Sequence, residues 1–239
     1  MKKLLLLTAL IVPFLVSSVG AQGTSDYEYE REFIWGATKA TNSGLIGGVV
    51  VKFGVAAGEK QFQTFSLELV NIKHPQEKRV NSYHNTGTFI WGKTNYLFSI
   101  RPQYGREWVF FKKAAQQGVQ ISGIVAGGPS LGIEAPYYIN YGNFNNIQRV
   151  QYDPNVHSSE HIRGVGNVFQ SLGNAKLVPG FNVKSSLAFE FGTFKSNVMG
   201  LETGFMFEGF SREINMLSNH NNQQFFPNAF VTLYYGTRR

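Results

Sequence analysis

Over residues 96–104 large apolar side chains fall on every second position, Tyr96, Phe98, Ile100, Pro102 and Tyr104, while Asn95, Ser99, Arg101 and Gln103 occupy the alternate set. Successive side chains of a strand point to opposite faces, so this spacing prescribes a strand with two unlike faces rather than a helix of period 3.6. The pattern recurs along the chain. Phe65, Leu67 and Leu69 oppose Thr64, Ser66 and Glu68; Val183, Leu187, Phe189 and Phe191 oppose Lys184, Ser186, Ala188 and Glu190. Met199, Leu201, Thr203, Phe205 and Phe207 oppose Gly200, Glu202, Gly204, Met206 and Glu208, and Pro227, Ala229, Val231, Leu233 and Tyr235 oppose Asn228, Phe230, Thr232 and Tyr234. Residues 45–57 carry a weaker version, with Lys52 on the even face.

In 119–139 the dipeptide Gly127-Gly128 before Pro129 resembles a turn, yet Val119, Ile121, Val125, Leu131, Ile133, Ala135, Tyr137 and Ile139 keep one phase across it. A tight hairpin need not preserve that phase, so the segment is expected to be one long strand bent at the glycines, with Pro129 at a bulge. Strands are then expected near 30–41, 44–57, 61–73, 88–111, 117–141, 177–193, 198–212 and 225–237. Each reaches the ~9 to 11 residues of a tilted transmembrane strand. After a short first connection at 41–43, short links (58–60, 112–117, 195–197) alternate with long ones (72–87, 142–176, 213–224). Short periplasmic turns, long extracellular loops, an even strand number and both termini inside are the layout of outer-membrane barrels. Trp108, Phe110, Phe111, Tyr234 and Tyr235 near the inner ends and Trp91 near an outer end fit interfacial belts.

The beginning of the chain supports export. Met1-Lys2-Lys3 precedes an apolar stretch at 4–16 interrupted by Thr8 and Pro13, and Val19-Gly20-Ala21 supplies small residues for cleavage before Gln22. We therefore expect a signal peptide at 1–21 and one barrel domain at 22–239. No other run is long and apolar enough for a membrane helix, so a membrane could be crossed only by a closed barrel. The chain has no cysteine, which removes disulfides, thiolate metal sites and Cys nucleophiles. Charged residues make up 15% of the chain, against ~25% in ordinary soluble domains. With 21 Phe and 11 Tyr, this composition suits a sheet with one face out of water. The formal charge of +7 becomes +5 without Lys2 and Lys3, an excess that serves solubility or attraction to anionic lipid head groups. No nucleic-acid motif is present, and no nucleic-acid partner is expected.

Alternation alone leaves the orientation open. A soluble lipocalin-like barrel would turn its apolar face inward. The polar sets here hold mostly small residues with isolated charges, which suits a narrow lumen better than a wet surface. The expected fold is thus all-β, an eight-stranded antiparallel transmembrane barrel with a plugged polar lumen. Lys52, Arg101 and Lys184 would share the interior with Glu68, Glu134, Glu190, Glu202 and Glu208 as hydrogen-bonded ion pairs, because unpaired buried charge is prohibitive.

The stretches VNIKHP (70–75), GGPSLGIEAPYYI (127–139), QYDPNVH (151–157), LVPGFNVKSSLAFEFG (177–192) and FVTLYYGTRR (230–239) give the chain its likeness to known proteins. It resembles small outer-membrane barrels of the OmpX and OmpW kind, and more closely an uncharacterised Bacteroidota-type family of exported barrels. The resemblance implies a membrane-embedded barrel and brings no established activity or catalytic residues.

One motif points elsewhere. His157-Ser158-Ser159-Glu160-His161 has the H-x-x-E-H spacing of a class of zinc peptidases. The two imidazoles would share a face if 155–170 were helical, but Gly164 and Gly166 weaken a helix there. A loop of this length also cannot supply a third ligand and a substrate cleft. Ser158 or Ser159 with His157, His161 and Glu160 could instead serve an outer-membrane lipid-modifying enzyme, although no G-x-S-x-G elbow is present. The preferred expectation is a non-enzymatic protein without cofactor, set in outer-membrane lipid and able to dock envelope proteins through its outer loops. The lipid-modifying enzyme and the soluble exported barrel are the alternatives.

Overall fold

A computed structural model describes residues 30–44, 47–58, 60–83, 87–112, 118–143, 146–167, 171–191, 197–218 and 222–239. The expected signal peptide, His84 and His220 lie outside them. The described strands are β1 (Arg31–Ala40), β2 (Gly48–Gly58), β3 (Gln61–Ile72), β4 (Arg79–Asn81), β5 (Thr88–Ile90), β6 (Asn95–Phe111), β7 (Gln120–Pro136), β8 (Tyr138–Asn143), β9 (Asn146–Gln151), β10 (Ile162–Val165), β11 (Lys176–Phe191), β12 (Asn197–Ile214) and β13 (Gln223–Arg238). Eight of them form one antiparallel sheet in the order β1-β2-β3-β6-β7-β11-β12-β13, and β13 pairs back onto β1 to close it as a barrel. Each ring strand lies beside the next ring strand along the chain, so the barrel is a meander whose longer connections carry β4–β5 and β8–β10.

The pairing register can be followed around the wall. Phe33 faces Phe53, which leads to Phe65, Tyr104, Gly127, Val183, Phe207 and Pro227. The β13–β1 register, which runs to Ala40↔Phe230, brings Pro227 level with Ser43, ten residues beyond the start. Such an offset requires strands tilted by roughly 35–45° to the barrel axis. Every residue on this path belongs to the outward set. Phe33, Trp35, Val51, Phe65, Leu67, Phe181, Phe205, Leu233 and Tyr235 are all exposed on the outside, whereas Glu68, Arg101, Lys184, Glu202 and Glu208 are buried inside. The apolar face of the alternation therefore points outward, opposite to a barrel that encloses an apolar ligand.

β7 is a single strand across Gly127-Gly128-Pro129. The expected bulge at Pro129 is not there: the β6–β7 register is the same at Ile100↔Leu131 and Tyr104↔Gly127, which sets Pro129 opposite Pro102. Two prolines facing each other bring no N–H donor to that stretch of ladder. Asn182 compensates from inside, with Nδ2 donating to Gly128 O at 3.2 Å and Pro129 O at 3.0 Å while its Oδ1 accepts from Gln103 Nε2 at 2.7 Å. The bulge falls instead between Val109 and Phe111, leaving Phe110 as the extra residue. A Cβ on Gly123 would come within 2.5 Å of the Phe110 ring, so the aromatic ring covers the bare glycine from outside.

The outer ends of the expected strands need redrawing. The segment expected at 88–111 divides into β5 and β6, and the segment expected at 117–141 divides at Tyr137 into β7 and β8. β8 leaves the ring to form a three-stranded sheet with β9 and β10, and β4 pairs with β5 in a hairpin. Phe89, Ile90, Tyr137, Ile139, Tyr152 and Ile162 give these pieces a shared apolar core. Trp91 therefore packs near Phe89 in this outer lobe rather than on a barrel strand, and Tyr234, expected in an interfacial belt, points into the barrel and is 7% exposed.

Loss of Asn182 leaves two carbonyls short of a donor where water is scarce. Asn182→Ala should lower the unfolding free energy by about 2–3 kcal/mol in urea titration, and Ser185→Ala, on the outward face of the same strand, by less than about 0.5 kcal/mol.

Candidate functional site

The interior is the most chemically distinctive part of the fold. Even-numbered residues of β1, β2, β3, β7, β11, β12 and β13 and odd-numbered residues of β6 supply it. Its charges form two chains in which each cation lies between two carboxylates. In the first, Arg238 lies 2.5 Å from Glu190 and 3.2 Å from Glu32, and Lys52 lies 3.4 Å from Glu32 and 2.9 Å from Glu107. In the second, Lys184 lies 3.2 Å from Glu202 and 2.9 Å from Glu68, and Arg101 lies 3.5 Å from Glu68 and 2.6 Å from Glu208. None of these ten residues is more than 9% exposed.

Hydroxyls and rings complete the surroundings. Ser186 Oγ donates to Glu202 at 2.6 Å and Ser99 Oγ to Glu208 at 2.5 Å, while Arg101 Nε adds a second bond to Glu208 at 3.0 Å. Lys52 lies over the Tyr234 ring at 5.9 Å and Lys184 over Phe230 at 5.5 Å, so β13 offers two π faces to the buried ammonium groups. Small residues make the room: a Cβ at Gly54 would come within 2.6 Å of the Glu32 side chain, and one at Gly200 within 2.4 Å of the Tyr234 hydroxyl. Beside Glu68 and Arg101 there remains a cavity of about 10 Å³, no more than a single water.

Of the eight interior charges named from the sequence, Lys52, Glu68, Arg101, Lys184, Glu190, Glu202 and Glu208 belong to these chains. Glu134 stands apart near the outer end, held by Arg212 Nη2 at 2.5 Å and Asn95 Nδ2 at 3.2 Å. Sequence reasoning missed Glu32, Glu107 and Arg238, which build most of the first chain. Above the second chain the barrel turns apolar. Val70, Ile72, Leu97, Val178, Phe210, Ile214, Met216 and Phe226 pack together across its outer end.

The outer lobe holds the H-x-x-E-H motif. Ser159–His161 is one turn of 3-10 helix, so the pair is not presented on an α-helical face. The His157 and His161 rings pack against Tyr141 at 4.8 and 5.8 Å, and His157 Nδ1 lies 3.1 Å from the backbone nitrogen and the carbonyl oxygen of Asp153. Among the described residues no group of three metal ligands occurs. Among them also, Ser158 meets His161 only through the backbone, His161 N donating to Ser158 O at 3.2 Å, and no side-chain hydrogen bond joins Ser158 or Ser159 to either imidazole, as a nucleophile-to-base contact would require. Elsewhere in the lobe Lys93 is buried against Glu77 and lies 4.9 Å from the Tyr96 ring. Burial holds its ammonium below the ordinary lysine value despite the pull of Glu77, and burial raises the Tyr152 hydroxyl.

Removing one member of a buried pair strands its partner. Arg101→Ala should cost about 3–5 kcal/mol in urea-induced unfolding. The double variant Arg101→Met with Glu208→Leu should recover more than half of that loss, because no unpaired charge remains on that side.

No protein family and no curated protein matches this chain. Among solved structures it is similar to the crystal structure of Neisserial surface protein A, at 9% sequence identity and a TM-score of 0.39, over 88% of this chain and 97% of that one.

Proposed function

We propose that the chain is an integral outer-membrane β-barrel protein with a structural or docking role in the cell envelope and no catalytic role. One observation carries the reading: the belt of exposed Phe, Leu, Val, Trp and Tyr side chains runs all the way around a closed ring whose ten ion-paired charges face inward. An apolar surface of that extent on a protein in water would be an aggregation hazard, whereas hydrocarbon accepts it. Below its outer rim the closed sheet leaves no unpaired edge along its wall, which is the condition for strands to stand in lipid.

The ends of the barrel fit the same placement. Trp35 and Tyr235 meet at 6.0 Å beside the end that carries the short turns, where an interfacial belt belongs. The elaborated elements β4, β5, β8, β9 and β10 lie at the other end, the side reserved for extracellular loops. Tyr83, Trp91, Ile147 and Val156 are exposed there and are the surfaces through which an envelope partner would be held. Among the described residues, ion pairs below and an apolar layer above fill the lumen, which supports a role other than that of a pore.

Three measurements test this. The protein should fractionate with outer membranes and migrate faster unboiled than boiled on a detergent gel; recovery in the periplasm with no mobility difference would return the soluble barrel. Phe205→Arg, on the outward face of β12, should cost about 2–4 kcal/mol of folding free energy in a bilayer and deplete the fast-migrating form. Planar bilayers containing the protein should show no steps in conductance.

A further inference from the structure

The wall of the ring is uneven at its outer end. β1 stops at Ala40, and the last backbone contact across its seam with β13 runs from Thr41 N to Ala229 O at 2.9 Å. β13, however, begins at Gln223, and Gln223, Phe225 and Phe226 are paired only on their β12 side, with Ile214, Gly209 and Glu208. The described start of the β1–β2 connection, residues 41–44, bends away from them, with Ser43 Oγ accepting from Ala40 N and donating to Ala40 O, both at 2.9 Å. Across the gap stands the continuation of β3. The result is a notch, a groove of about 430 Å³ lined by Asn42, Lys73, Pro75, Gln224, Phe225 and Pro227.

The position and chemistry of the notch name its occupant. From Tyr235 to Phe225 is ten residues of one strand, or roughly 25 Å along the axis at a tilt of about 40°. That is the height of the apolar band of such barrels, so the notch opens where outer-leaflet chains meet their head groups. Phe225, 50% exposed, and Pro227 offer apolar surface. Lys73 is half-buried and among the described residues has no carboxylate partner. A cation at the rim of an apolar groove suits an anionic oxygen on an acyl-bearing molecule. A strand is a poor occupant. Ala229 turns its backbone groups toward β1, so Pro227, two residues on, would present the notch with a missing N–H.

We propose that the notch between β13 and the β1–β2 turn binds one membrane lipid with an anionic phosphate head group, the phosphate against Lys73 and a chain along Phe225 and Pro227. The site rests on the membrane reading above, and its test keeps the two separable. Native mass spectrometry of the detergent-folded protein is run with dimyristoylphosphatidylglycerol, with dimyristoylphosphatidylcholine, and with glycerol phosphate as competitor. One phosphatidylglycerol per protein is expected, preferred roughly tenfold over the zwitterionic lipid, as one charge-assisted contact allows. Lys73→Gln abolishes that preference, the exposed control Lys78→Gln keeps it, Phe225→Ser weakens both lipids, and glycerol phosphate does not compete. Equal adducts of both lipids, a preference that survives Lys73→Gln, a site filled by glycerol phosphate, or a dimer in place of the adduct each overturns the proposal. Gel mobility is read on the same samples. A heat-modifiable barrel without the adduct rejects the notch alone, and a chain without heat-modifiability rejects the membrane reading and the notch with it.

Discussion

Closure is the constraint on which this structure depends. Seven of the eight junctions in the ring join neighbours in the meander, but the β1–β13 seam must bring together residues some two hundred positions apart. The seam is correspondingly reinforced. Besides its backbone ladder, Thr38 Oγ1 meets Thr232 Oγ1 at 2.7 Å, Arg238 reaches Glu32, and Arg239 O accepts from both Glu30 N and Arg31 N at 2.9 Å. Without it, two strands would each expose a row of unpaired donors and acceptors, a cost of several kcal/mol per group in a medium without water.

The interior charges bear on the same problem from within. A buried ion pair adds little net stability, since desolvation offsets most of the attraction. Its value here lies in discrimination. A slip of one residue in any strand would turn its charges outward, and a slip of two would pull Lys184 from Glu68 or Arg101 from Glu208. Because each cation joins two carboxylates from different strands, the chains tie β11, β13, β1, β2 and β6 to one another, and β12, β11, β3 and β6 likewise. A polar interior also keeps each segment from becoming a continuous apolar run, so that the chain does not read as a membrane helix.

Much of this was legible in the sequence because period two is a direct imprint of the pleat. The eight ring strands, the continuity of β7 and seven of the interior charges all follow from which residues share a phase. What phase cannot tell is who faces whom. Arg238 was missed because the even face of β13 includes Phe230 and Tyr234 and is nearly as apolar as its odd face, so nothing singled it out as inward. Glu107 did share the phase of Arg101, Gln103 and Gly105, a signal that was available, while Glu32 stands beside Arg31 and either could have faced inward. Glu134 had the right phase but sits too far along β7 to reach the chains. The outer lobe was the least legible part: β8, β9 and β10 are short, and a core built from Phe89, Tyr137, Tyr152 and Ile162 brings together residues from separate loops that no local pattern connects.

The order of layers along the axis limits what the interior can do. A proton or ion entering from the outer end would meet first the lobe core around Tyr137 and Tyr152, then the apolar layer of Leu97, Val178, Phe210 and Met216, before reaching any carboxylate. Crossing that layer without water carries a desolvation cost far above thermal energy. The three carboxylates of each chain beneath already share two cations, and every one of them lies within 4 Å of at least one. Charge inside this barrel therefore serves the wall, and exchange with the surroundings falls to its outward face and its loops.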